Sequence, residues 1–230
     1  MSTFINIETA TELCSCSLSI EDKVVIDRVN HNSQSHATSL GVFVEETMQF
    51  VREKQLNINA VSVSSGPGSY TGLRIGVSQA KGLSYGLNIP LIAIPTTAIM
   101  AYAVKDEVDD DVLLCPMIDA RRMEVYTTIY NTSLQVVRET AAEILDQNSY
   151  SDILSKTRVC FFGNGSQKFK EVIDHPNAIF IDEIKPLASS MCRLTKESYD
   201  TKKFTNSAYF EPFYLKEFNA TIPKNKILSR

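Results

Sequence analysis

The order in which the hydrophobic period changes along the chain constrains the fold more than any other feature. Residues 4–9, 13–20 and 23–29 alternate apolar and polar side chains with the two-residue period of strands. Short polar turns separate these runs, so they read as an antiparallel meander. From Ser35 the period lengthens. Leu40, Phe43, Val44, Thr47, Met48 and Val51 recur at three- and four-residue steps, which predicts an amphipathic helix ending near Lys54. A buried-type strand at 60–65, a helix over 71–87, a strand at 89–94 and a helix opening at Pro95 follow. Past the charged stretch 105–111 the pattern partly repeats, with strands at 112–119, 123–131, 134–139 and 158–164 and helices at 165–173 and 186–204. Three strands, then helix, strand, helix, strand and helix, followed by an echo of the same order, predict two α/β lobes with mixed sheets. The expected division is 1–104 for the first lobe, 105–205 for a smaller second lobe, and 206–230 for an irregular, partly basic tail.

Composition narrows the function. At 230 residues and 43% hydrophobic content, the chain is long enough to bury roughly 70–75% of its unfolded surface without a metal or disulfide. A net charge of -4 argues against an unaided grip on nucleic acid, which needs a basic footprint. It leaves room for an RNA-handling assembly in which a partner supplies that footprint. Cys14, Cys16, Cys115, Cys160 and Cys192 are odd in number and contain no C-x-x-C pair, so reduced, buried thiols are expected. Cys14 and Cys16 should share one face of their strand. The N-terminus has no basic leader and no eighteen-residue apolar span occurs, so the chain reads as cytoplasmic with no membrane segment.

The densest signal is SSGPGSYTGLRIGVSQAKGLSYGL, residues 64–87. It fails the nucleotide-loop templates: no lysine follows Gly72, and Gly66, Gly68 and Gly72 are spaced one residue too wide for a dinucleotide fingerprint. Ser69 lies between Gly68 and Tyr70, which excludes a nucleophile elbow. Gly66 and Gly68 permit positive φ, Pro67 stiffens the turn, and Ser69 or Thr71 is placed to cap the helix. A tight strand-to-helix connection and a ligand-holding loop both remain open on these residues. In the helix, Gly72, Gly76 and Ala80 make a small-residue stripe, with Gly82 and Gly86 beyond it. Each interior glycine costs about 0.5–1 kcal/mol relative to alanine, which implies compensation from close approach by another backbone. That backbone is either the chain's own sheet or a second protein, and we read the stripe, with Leu73, Val77 and Leu83 beside it, as a surface for a partner.

A second cluster, Asp119, Arg121, Arg122 and Glu124, falls between two strands. It reads either as a charged wall facing a cleft or partner, or as a salt-bridged turn. If the backbone is extended there, Arg121 and Arg122 point opposite ways and one of them faces the cleft. His31 and His36 are five residues apart, His175 is remote, and H-E-x-x-H is absent, so the sequence predicts neither a metal site nor a catalytic residue.

Residues 64–96 and IDARRMEVYTTIY (118–130), with INIETATELCSCSL (5–18) and HATSL (36–40), closely resemble the TsaB (YeaZ) family of tRNA threonylcarbamoyladenosine biosynthesis proteins, once called glycoprotease-like. The resemblance is strong over residues 1–130 and loose beyond. It implies two ribonuclease H-like lobes of the actin-like and sugar-kinase ATPase (ASKHA) fold. It also implies a non-catalytic subunit that binds and supports a homologous transferase, TsaD, through helices of the first lobe, with the ATPase TsaE joining them. The TsaD reaction places a threonylcarbamoyl group on an adenosine beside the tRNA anticodon, and tRNA is met only through the complex. By the resemblance, Gly66, Pro67, Gly68, Ser69, Tyr70, Thr71, Gly72 and Arg74 match the family loop. Leu73, Gly76, Val77, Ala80 and Leu83 lie on the pairing helix. Asp119, Arg121, Arg122, Glu124 and Tyr126 match the second motif. No cofactor of its own is expected, with ATP only at the interface of the complex. Glu8 stands where such folds usually end the first strand in a phosphate-side aspartate. The alternatives are an independent metal- or ATP-dependent hydrolase and a homodimer that uses the same helix when the partner is missing.

Overall fold

The structure is a computed structural model that describes residues 1–31 and 35–216; the end of the expected tail, 217–230, lies outside the described residues. The meander forms as the alternation requires, with β1 (Thr3–Glu8), β2 (Cys14–Ile20) and β3 (Lys23–Asn30) pairing antiparallel in sequence order. Helix α1 (His36–Glu53) follows, then β4 (Ala60–Ser64), α2 (Tyr70–Leu87), β5 (Leu91–Ile94) and α3 (Thr96–Val104). Strands β4 and β5 run parallel to β1, giving the sheet order β3-β2-β1-β4-β5.

The second half contains β6 (Leu113–Asp119), β7 (Glu124–Tyr130), β8 (Val136–Ile144), α4 (Ser151–Leu154), β9 (Val159–Phe162), α5 (Ser166–Lys170), β10 (Ala178–Ile181) and α6 (Cys192–Asp200). Its order, β10-β9-β6-β7-β8, is the first sheet's order read from the other edge. The antiparallel and parallel pairings repeat as well. The partial echo in the sequence is therefore a repeated topology, two mixed sheets built to one plan, as the actin-like fold class requires.

The period-2 pattern sorts side chains to two different environments. In β1, β2 and β4, Ile5, Ile7, Cys14, Cys16, Leu18, Val61 and Val63 face a core shared with α1 and α2. Cys14 and Cys16 do lie on one face, with Cys16 Sγ against Thr47 Oγ1 of α1. The intervening residues form a buried polar seam on the other face. Asn6 Oδ1 accepts from Ser62 Oγ at 2.7 Å and from Thr195 Oγ1 of α6 at 2.8 Å, while Asn6 Nδ2 donates to Ser17 Oγ at 3.1 Å. Buried polar groups satisfied in this way fix register and partner, because a slip leaves several of them unpaired.

That seam corrects the division at 105–205. Residues 188–200 follow the second sheet in sequence, yet Met191 packs with Phe4, Ala60 and Ile92 of the first. Reciprocally, α3 follows the first sheet but contributes Met100, Ala101 and Val104 to a core with Leu114, Tyr130 and Phe162 of the second. Each sheet thus receives a helix from the other half of the chain. All five cysteines are buried. Among the described residues, no helix is long and apolar enough to cross a membrane.

Candidate partner helix and interlobe cleft

The loop after β4 enters α2 as the residues dictate. Ser69, not Thr71, is the cap: its Oγ accepts from Gly72 N at 3.3 Å. The loop is pinned to the segment after β1 by Ser69 N donating to Ala10 O at 2.6 Å and Thr9 Oγ1 donating to Gly72 O at 2.8 Å. A Cβ at Gly68 would overlap Ala10, and one at Gly72 or Gly76 would overlap Thr9. The backbone that approaches the glycine stripe is therefore the chain's own.

This corrects the reading of the stripe as a partner surface. Leu73 and Ala80 have no exposure, Val77 is 4% exposed and Gly76 is buried, while half-buried Leu83 packs on the first core. The opposite side of α2 is open: Thr71, Arg74, Ser78, Gly82 and Tyr85 are exposed, Tyr85 to 87%. The Arg74 guanidinium lies 4.4 Å from the Tyr70 ring centroid. Beside it, α1 exposes Thr38, Gly41, Val42 and Glu45. Among the described residues, nothing lies within 4 Å of a Cβ added at Gly82 or Gly86.

Between the lobes lies a cleft of about 760 Å³. The first half lines it with Ala10–Glu12 and the loop from Pro67 to Gly72, the second with Asp119–Arg121, Tyr126 and Asn164, and the tail with 213–216. Asn164 ties the walls together, its Nδ2 donating to Glu12 Oε2 at 3.1 Å and its Oδ1 accepting from Asp119 N at 2.9 Å.

The second motif is a hairpin turn rather than extended backbone. Arg121 and Arg122 have φ of 70° and 51°, the left-handed region that a tight reversal uses. Of the two arginines only Arg121 lines the cleft. The residue that holds this turn was not among the sequence candidates. Lys168 of α5 donates Nζ to Asp119 Oδ1 at 2.6 Å, to Arg122 O at 2.8 Å and to Glu124 O at 2.5 Å.

Glu8 does not line the cleft. Its carboxyl is fully buried and accepts from Ala10 N, and among the described residues Oε2 has no hydrogen-bond partner. Burial pushes its pKa up to about 7, against the lowering effect of the Ala10 amide. The hydroxyl of Ser64 lies nearby without a hydrogen bond of acceptable geometry. His36 Nε2 meets Thr11 O at 3.0 Å and His175 Nδ1 accepts from Asn177 N, whereas His31 is exposed. Among the described residues, no group of three or more His, Cys, Asp or Glu is placed to hold a metal ion.

Comparison with known proteins places the chain among relatives. A family model described as TsaD, tRNA N6-adenosine threonylcarbamoyltransferase, matches residues 29–224. The tRNA threonylcarbamoyladenosine biosynthesis protein TsaB of Bacillus subtilis is 28% identical over 178 residues, 75% of each chain. The TsaB of Buchnera aphidicola subsp. Baizongia pistaciae is 30% identical over 179 residues, 75% of this chain and 80% of its own. The solved structure of YeaZ from Pseudomonas aeruginosa superposes with a TM-score of 0.79 at 22% identity, covering 94% of this chain and all of that one. It shares the fold.

Proposed function

Because the chain belongs to the TsaB (YeaZ) family of tRNA threonylcarbamoyladenosine biosynthesis proteins, within the wider family whose model describes the transferase, we propose that it is the non-catalytic partner of a TsaD-like threonylcarbamoyltransferase. The observation that carries this reading is the outer side of α2, which no part of the described residues covers. An 18-residue helix buries its glycine arc in its own core, yet it presents Thr71, Arg74, Ser78, Gly82 and Tyr85 to solvent beside α1. Small residues let another helix approach closely, and an exposed tyrosine is an anchor of the type that dominates binding energy. A homologous transferase carries equivalent helices and can meet these two face to face. A TsaE-like ATPase and tRNA would join through that complex, in the cytoplasm, and any ATP would be held at its interface.

The buried Glu8 supports a non-catalytic role. A carboxylate that would steer phosphate chemistry must reach the cleft with its charge, and this one is turned into its own loop. Co-purification with the cognate TsaD-like transferase tests the proposal. Ser78→Arg should abolish capture, and Tyr85→Ala should weaken affinity about ten-fold or more, both with an unchanged melting temperature. Full-strength capture by Ser78→Arg would sink the pairing surface. Threonylcarbamoyl transfer to tRNA by the purified chain alone would sink the non-catalytic role.

A further inference from the structure

The tail from 205 to 216 has no regular secondary structure beyond one isolated bridge at Thr205, yet it is held along its length. Thr205 N donates to Leu91 O at 2.8 Å, and Lys81 of α2 donates Nζ to Ala208 O at 3.2 Å and to Phe210 O at 3.1 Å. Phe210 packs against the core beneath α1 and α2. The chain then reaches the loop ahead of α2, where Phe213 N donates to Ser65 O at 2.7 Å. The Tyr214 ring lies 4.9 Å from that of Tyr70, centroid to centroid. Its last described step crosses to the other lobe, where Lys216 pairs with Glu124 on β7.

Gly66 shows that the loop is shaped for this segment. It has φ of 103°, and a Cβ there would sit 2.7 Å from Phe213 O. Gly68 and Gly72 make room for residues 9 and 10, whereas Gly66 makes room for the tail. We propose that residues 205–216 are a strap that closes the mouth of the interlobe cleft, seated on the first lobe at Ser65–Gly66 and latched to the second by Lys216 on Glu124. Near its start the strap is fixed by a backbone bond, by the Lys81 ammonium and by a half-buried phenylalanine. At its end it is fixed by an ion pair whose lysine side chain is 47% exposed. A latch of that kind opens readily. Release would uncover the wall formed by residues 67–72 and detach the tail from the hairpin, which Lys168 continues to pin. The inference does not depend on what binds α2.

Hydrogen exchange on the full chain tests it, comparing wild type with Lys216→Glu, Glu124→Lys and the double charge swap. The Lys216 side chain is about half exposed and that of Glu124 is 17% exposed, so the pair lies at the end of the strap and outside both cores. Each single variant should speed exchange at Phe213 N up to about five-fold. The same acceleration should appear at Ser69 N and Asp119 N, one on each wall of the cleft. The swap should return all three to wild-type rates. Unchanged rates in the single variants would overturn the proposal, as would a swap no slower than the singles. Acceleration confined to the tail would also overturn it, since the segment would then be a passenger rather than a closure.

Discussion

Gly76→Ala separates an inward glycine stripe from an outward one. An added Cβ at Gly76 would run into Thr9 Oγ1 and would sit 3.4 Å from Thr9 Cβ and 3.5 Å from Ile7 Cγ2. Thr9 cannot swing aside freely, because it is fully buried and its hydroxyl donates to Gly72 O. Overpacking of this kind costs about 1–3 kcal/mol, and giving up the Thr9 hydrogen bond adds about 0.5–1.5 kcal/mol. Replacing an interior helical glycine returns about 0.5–1 kcal/mol. The balance is a loss of about 0.5–4 kcal/mol, centred near 2, or roughly 4–8 °C in melting temperature at that centre for a chain of this size. Gly82→Ala is the control: it lies on the same helix with open space around it, so it should gain about 0.5–1 kcal/mol from propensity alone. Thermal and urea unfolding of the isolated chain read both. Thr9→Ala removes the obstructing atoms, so the double variant with Gly76→Ala should lose less than the sum of the two singles. If Gly76→Ala matches Gly82→Ala, or if the Thr9 pair is additive, the stripe does not rest on Thr9 and the assignment of faces is wrong.

Two further outcomes follow from Glu8 and Lys168. Burial raises the Glu8 pKa from 4.5 to about 7, so the folded chain binds a proton more tightly than the unfolded one. Stability from this group is full below pH 4.5, falls between about 4.5 and 7, and is flat above. The drop is on the order of a few kcal/mol, and urea titrations at several pH values should show it in wild type and not in Glu8→Gln. Lys168→Met leaves the carbonyls of Arg122 and Glu124 and the Asp119 carboxylate without their shared donor. That should cost about 1–3 kcal/mol and speed exchange at Glu124 N; an unchanged urea midpoint would show the turn to be self-supporting.

The strands and long helices were legible because their burial is periodic. Each of β1, β2 and β4 has one apolar and one polar face, and both are buried, so alternation survives inside the molecule. Three elements gave no readable signal. α4 is four residues long, and β10 is a half-buried edge strand with β9 as its parallel partner. The tail is shaped by contacts more than a hundred residues away in sequence. Lys168 is similar: its role depends on carbonyls 44 and 46 residues earlier, and a lysine in a helical stretch carries no mark of that. The direction of the glycine stripe was readable and misread. At about 100° per residue, Gly72, Gly76 and Ala80 fall on one arc with Leu73, Val77 and Ser84, and those six are the buried positions of α2. Large apolar residues interleaved with the glycines cannot face a different neighbour from them. What periodicity alone could not supply is which atoms come closest, here a threonine at the end of β1.

The repeated topology shows which part of the first lobe exceeds the needs of the fold. The sheets are built to the same order, and the helices that follow equivalent strands can be compared directly. After the third strand, α1 has 18 residues where α4 has 4; after the fourth, α2 has 18 where α5 has 5. The exchanged helices α3 and α6 match at 9 residues each. A sheet of this order therefore closes its outer face with one-turn helices around Tyr150, Leu154 and Phe169. The long pair on the first lobe buries one side in the same way and carries the other into solvent. Long helices form more readily than short ones once packed, but that gain does not select glycine at 82 and 86, where an alanine would meet nothing and lower the free energy. Under the proposed pairing, Gly82 and Gly86 keep that face low enough for another helix to approach it. The inward glycines build the lobe; under the proposed pairing, the outward ones leave room for a second molecule.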